Sequence, residues 1–379
     1  MFPFFSYFCT NINFNYMKNS VFTDSFSLNQ TQIIKGIAIL CIMLHNLFHW
    51  MSPMNALENE FSFDSSHIFS FFDSLASTPW EFINIIFSYL GHYGVEIFIF
   101  ISGYGLAKSF SKSPKPWGRF MAHRLKKIYP LLIIAFLYFF FTRISIYNTL
   151  PKWDEIKSMI YKLLFIHTFI PKEGMSLDGP WWFFGLIVQL YIFFPLLYKC
   201  IEKHGFKAFF TVSLISYATI YASLYAFKMP KDIYLMQNAI GHFPEFCLGI
   251  LLAKNKTLTG NIWCFILAVT AFSLGNFYLA FYPLTFISIT YIFVYLSITL
   301  INKDLKTKHI KTAISVFGKY SMVLFATHGL FRWQYVVLAD QYNNALITIV
   351  LAVVFLIEVL ILAIPAMKLY EFMTKTKSI

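Results

Sequence analysis

The sequence predicts an all-α, polytopic integral membrane protein with about ten transmembrane helices, one short lateral or re-entrant helix, and both termini cytoplasmic. Three observations lead there. Of the 379 residues, 58% are hydrophobic, 20% aromatic and only 13% charged, where a soluble domain carries roughly 25% charged residues. Apolar runs close to the roughly 20 residues that a bilayer requires recur from residue 33 to residue 368. The formal charge of +12 is gathered in short blocks of Lys and Arg between those runs, which is the pattern of cytoplasmic loops and not of a nucleic-acid surface. No nucleic-acid partner is expected, and one membrane domain, residues 31–370, accounts for nearly the whole chain. A tail over 1–30, whose true start is expected at Met17, and a cytoplasmic tail over 371–379 flank it.

In chain order, the expected spans are 33–50, 82–106, 128–147, 180–198, 208–227, 238–253, 262–280, 284–301, 314–333 and 345–368. The loop from Met51 to Glu81 holds five acids (Glu58, Glu60, Asp64, Asp73, Glu81) and no Lys or Arg, so it belongs outside. The block from Lys108 to Lys127 has seven basic residues, Arg119 among them, and no acid, so it belongs in the cytoplasm. The segment 156–171 is interrupted by Lys157 and Lys162. If it crossed, every later basic block, from Lys199 to the tail with Lys375 and Lys377, would change sides; it is therefore read as lying along the outer face. Cys9, Cys41, Cys200, Cys247 and Cys264 are odd in number and scattered, which suggests neither a disulfide framework nor a metal site.

Polar groups inside the apolar runs carry the functional signal, because ionisable side chains are costly in hydrocarbon. In IIKGIAILCIMLHNLFHW, residues 33–50, Lys35 stands at the mouth of the helix. His45 lies roughly 15 Å deeper and His49 roughly 21 Å deeper at a rise of about 1.5 Å per residue. Four residues apart, the two histidines share a face. They complete a polar stripe, or else Lys35 snorkels and the imidazoles satisfy a packed bundle. In GHYGVEIFIFISGYGLAKSF, residues 91–110, His92 and Glu96 are again four apart, and Gly91, Gly94, Gly103 and Gly105 allow close helix contact or approach to a ligand. His92 and Glu96 orient a ring or hold a proton, or they brace two helices. Ser102 reads as a helix-contact residue. RLKKIYP, residues 124–130, follows, with Pro130 in a first helical turn.

These strings, followed by PWWFFGLIVQLYIFFPLL, FPEFCLGILLA and GKYSMVLFATHGLF, resemble in order the bacterial acyltransferase-three family of integral membrane O-acyltransferases over about residues 32–335. The resemblance implies transfer of an acyl group, usually acetyl, from cytoplasmic acyl-CoA to a sugar hydroxyl of an extracytoplasmic polysaccharide or lipid-linked glycan. The location is then the bacterial inner membrane, with acyl-CoA as donor substrate and no bound cofactor or metal. Lys35 and a histidine of the first helix resemble the family's essential pair. Arg124 and Lys127 match its basic Arg-x-x-Arg pattern and, with Lys35 and Arg119, are assigned to the donor.

The family usually has arginine followed ten residues later by histidine. Here Lys35 stands for the arginine, that spacing lands on Asn46, and His45 comes one position early. A one-residue offset turns a side chain by about 100°, so His45 takes the role only if the helix is locally overwound or bulged; His49 is the other candidate. A histidine suits the chemistry, since imidazole titrates near the pH at which a hydroxyl needs a base. His328 and Glu245 are candidate cavity residues for the acceptor. Trp181 and Trp182 read as an interfacial belt or as a platform for a sugar ring. The rival class is a glycan-precursor transporter with the same groups as a proton relay.

Overall fold

The computed structural model describes residues 26–226, 234–254, 262–301 and 308–375. Cys9, Met17, Lys256, Lys303 and Lys377 lie outside them. Among the described residues all regular structure is helical.

Ser27 opens α1 (Leu28–Phe48) with a reciprocal cap: its hydroxyl accepts from the Gln30 N–H, and its own N–H donates to the Gln30 side chain. The outer loop then carries α2 (Ser66–Ser77). The run expected as one helix over 82–106 is two, α3 (Phe82–Leu90) and α4 (Gly94–Lys112), split by a tight turn at Gly91–Tyr93. His92 therefore sits in the turn and Glu96 in the next helix. The third span also differs from expectation. α5 (Trp117–Ser145) starts right after Pro116, so Arg119, Arg124 and Lys127 are helical, and Pro130 lies inside the helix instead of opening it. An interior proline is tolerated in a membrane helix whose neighbours satisfy the freed backbone.

The segment read as non-crossing forms α6 (Trp153–Leu163), whose 11 residues reach about 16 Å of a core roughly 30 Å thick. There follow α7 (Trp182–His204), α8 (Phe206–Tyr225), α9 (Ala239–Ala253), α10 (Ile262–Phe277), α11 (Leu284–Ile301), α12 (Lys308–Thr327), α13 (Trp333–Tyr342) and α14 (Ala345–Thr374). Among the described residues, six stretches are long and apolar enough to cross a membrane (Leu28–Phe48, Pro79–Lys112, Trp117–Ser145, Gly179–His204, Phe206–Tyr225 and Ala345–Thr374), and three shorter helices between 239 and 298 are also apolar.

Two close helix pairs build the centre: α1 packs along α12, and α4 along α9. In the second pair the approach is reciprocal. Gly103 rests on the Phe246 carbonyl, and Gly249 on the Phe100 carbonyl, so a side chain on either would strike backbone. Gly249→Leu is expected to destabilise the protein by at least the ~1–3 kcal/mol of ordinary overpacking. Gly105→Ala, whose new carbon meets nothing within 4 Å, is expected to leave the melting temperature unchanged; thermal shift of the detergent-solubilised protein reads both.

Lys162 is fully buried on α6, where its ammonium donates to the carbonyls of Glu173 at 3.3 Å and Gly174 at 3.4 Å. Burial pulls its pKa down to about 7, against the pull of Glu173 and Asp178. The unfolded chain, with a lysine pKa of about 10.4, binds the extra proton between those values, so stability rises with pH across that window. Below about pH 7 the full penalty, on the order of 4 kcal/mol, is present. Lys162→Met is expected to raise the melting temperature at pH 7 and to flatten the rise between pH 7 and 10.

Candidate active site

Two cavities meet inside the bundle. The larger, about 280 Å³, is walled by α1, α4, α5, α7, α12 and α14 and includes Lys35, Arg124 and Lys127. These three predicted residues thus come together from two helices, and no carboxylate stands among the residues that line the cavity. The Arg124 guanidinium lies over the rings of Phe120 and Tyr191, 5.3 and 5.9 Å from their centres, and its buried Nε has no hydrogen-bond partner. An anion or a polar ligand arm is the natural complement to such a wall. Ser102, expected at a helix contact, lines the cavity instead, as does Gly105. Arg119 is exposed and does not line it, because a helical step of five residues from Arg124 turns it to another face.

The smaller chamber, about 20 Å³, is lined by His45, Asn46, Glu60, His92, Trp182 and apolar neighbours. α1 stays α-helical through this region. No overwinding is needed, because His45 and Asn46 both border the chamber. Gly91 fits against the Cys41 carbonyl and the β-carbon of His45, so the turn that splits α3 from α4 presses directly on the catalytic candidate.

The His45 Nδ1 is 3.0 Å from the Ser88 carbonyl and 3.3 Å from that of Phe87. Carbonyls only accept, so Nδ1 carries a proton, and in the neutral imidazole Nε2 is the basic nitrogen. That Nε2 lies 3.8 Å from the Glu60 carboxylate, too far for a direct hydrogen bond.

His49 turns elsewhere. Its Nδ1 is 2.8 Å from the Glu58 carboxylate, and its ring centre is 5.1 Å from that of His45. Ligand-type atoms of His45, His49 and Glu58 all fall within 4.8 Å of one another, a set able to hold a divalent ion; the direct hydrogen bond already partners two of them. His92 borders the chamber with its ring 5.5 Å from His45 and its buried Nδ1 unpartnered. Glu96 is buried but borders neither cavity.

The assignments for the acceptor separate. Trp182 is 3% exposed and lines the chamber, whereas Trp181 is wholly buried and donates its indole N–H to the Ala326 carbonyl at 2.9 Å. Both are buried inside the protein and not in an exposed belt: Trp181 packs against Phe136 and Phe139 of α5, and the ring of the loop residue Phe61 lies 5.2 Å from Trp182. Glu245 and His328 are both buried outside the two cavities. Glu245 pairs at 3.7 Å with His242, whose ring stacks behind Trp182, and His328 holds the Leu324 carbonyl at 2.9 Å.

Residues that the sequence reading missed complete the site. Glu58 and Glu60 were visible only as charges of an outer loop; two carboxylates two residues apart after a histidine-ended helix were the available signal. Among the described residues, Phe325 alone borders both cavities.

The family model described as "Acyltransferase domain", of the acyltransferase-three group, matches residues 29–367. No curated protein and no solved structure matches the chain.

Proposed function

This chain belongs to the acyltransferase-three family of membrane acyltransferases, and on that premise we propose that it is an O-acyltransferase of the bacterial inner membrane. It moves an acyl group, acetyl in the first instance, from cytoplasmic acyl-CoA to a hydroxyl of an extracytoplasmic surface polysaccharide or lipid-linked glycan. Both termini are cytoplasmic in this reading.

One observation carries it. Three basic side chains line one cavity, a histidine whose Nδ1 is fixed by a backbone carbonyl lines the next, and the two share a wall residue. Lys35, Arg124 and Lys127 hold the phosphates or the pantetheine arm of the donor, whose thioester end points toward His45. The acceptor hydroxyl enters beside His45 Nε2 and Glu60, which lie 3.8 Å apart, so that an oxygen off their axis reaches both at hydrogen-bond distance. His45 takes its proton as the oxygen attacks the thioester carbonyl. The tetrahedral adduct then collapses, the C–S bond breaks, and the imidazolium protonates the departing thiolate. Glu60 stabilises that imidazolium while it lasts, and the Ser88 carbonyl keeps the ring in one tautomer. Trp182 offers a face to the sugar.

The test is purified protein in liposomes with acetyl-CoA labelled in the acetyl group and a lipid-linked glycan acceptor. Label on the glycan is the expected result. Translocation of the glycan without any CoA dependence would instead identify a carrier, and mass spectrometry of the product reads acyl mass and attachment site together.

A further inference from the structure

Phe325 belongs to the wall of the 280 Å³ cavity and of the 20 Å³ chamber, and no other described residue does. It is held on several sides: its ring centre lies 4.9 Å from Phe183, 6.4 Å from Phe98, 6.5 Å from Phe184 and 6.2 Å from His328, and it is 6% exposed. A ring packed against three other phenylalanines narrows the approach from one space to the other and resists being moved aside, because swinging it would displace packed neighbours. Beyond it, Ile42 and Val95 narrow the chamber around His45 and Trp182. The chamber offers about 20 Å³ of free space, where one water already needs about 10–15 Å³, so each further acyl carbon brought to His45 must press on its lining.

From this geometry we infer that Phe325 determines donor specificity by limiting the length of acyl group that can be presented to His45. The inference rests on the acyl-transfer reading and deepens it. The thioester carbonyl must come within roughly 3–3.5 Å of the attacking oxygen, and the acyl carbons beyond the carbonyl must then fit in the space that Phe325, Ile42 and Val95 leave. A methyl fits there. Each further methylene meets a ring that has nowhere to go, and one methylene in a tight apolar pocket is worth about 10–200-fold in discrimination. Trimming Phe325 joins the two spaces and gives a longer chain room to fold back.

The experiment measures kcat/KM for acetyl-, propionyl-, butyryl- and hexanoyl-CoA with the full-length protein, its Phe325→Ala variant and its Phe325→Leu variant. The ratio between donors within one preparation does not depend on how much of it is folded. The wild type is expected to favour acetyl over butyryl by at least tenfold. Phe325→Ala should lower that ratio at least tenfold, with Phe325→Leu in between; the leucine variant carries the test alone if the alanine variant does not fold. Transfer with an unchanged ratio in the variants, or equal use of all four donors by the wild type, overturns the role of Phe325 and leaves the acyltransferase reading standing. A wild type that transfers no acyl group from any of the four overturns both.

Discussion

His45→Ala is expected to lower kcat for acyl transfer by about 10²–10⁴-fold, the range of one positioned general base, with KM for acyl-CoA little changed. The split follows from the two cavities: the cations proposed to hold the donor line one, and His45 lines the other. A loss confined to kcat marks a group that acts in the transition state and not in ground-state binding. His45→Gln is the sharper variant. It keeps a side chain of similar length that can still reach the Ser88 carbonyl, but it has no basic nitrogen. The same loss with an unchanged melting temperature would place the defect in chemistry. His49→Ala should cost much less, since its Nδ1 is engaged by Glu58 at 2.8 Å and its ring stands outside the chamber wall. If His49→Ala is the severe variant and His45→Ala the mild one, the two assignments exchange. If both variants transfer acyl groups at the wild-type rate, neither imidazole is the base.

Much of this architecture is legible in the sequence, because the hydropathy of a window of twenty residues is a local property and the bilayer reads it locally. The expected apolar segments coincide with helices, and the interrupted segment around Lys157 and Lys162 forms only the short α6. Failures occur where tertiary contacts override local signals. Gly91–Tyr93 breaks a continuous apolar run because that turn packs against α1 beside His45. Pro130 was read as a helix start, yet α5 passes through it. In the site, Lys35, Arg124, Lys127, His45 and His92 were legible since a polar group in an apolar run is costly and conspicuous. Glu60 was not, because its approach to His45 is made by the path of the whole outer loop. Phe325 is one of 46 phenylalanines, and nothing in its neighbourhood of sequence distinguishes it. The tryptophan pair shows the same limit, for composition cannot tell a ring at the membrane edge from one beneath a folded outer segment.

Asp178→Ala is expected to destabilise the protein by about 3–5 kcal/mol, as removal of one partner from a buried ion pair does. The Asp178 carboxylate receives the Arg332 guanidinium at 3.2 Å, and the two residues are 3% and 6% exposed. The carboxylate also lies directly against Gly329, where any larger residue would displace it. Burial raises the Asp178 pKa, and Arg332 and Lys162 pull it back down. Alanine would leave the guanidinium buried without its counter-charge, with an Nε that already lacks a partner. The damage should reach the chamber, because Met175, Gly179 and Pro180 in the same segment form part of its wall. Loosening them lets water reach the thioester, so hydrolysis of acyl-CoA without acceptor should rise as transfer falls. Asp178→Leu combined with Arg332→Met removes both charges and keeps apolar volume, and such replacements are often neutral or stabilising. The double variant should therefore recover most of the lost melting temperature, a strong positive coupling in a double-mutant cycle. Simple additivity of the losses measured for Asp178→Leu and Arg332→Met alone would mean that the pair contributes nothing to holding this segment over the chamber, and the wall would then be sustained by the packing of Trp181 and its neighbours alone.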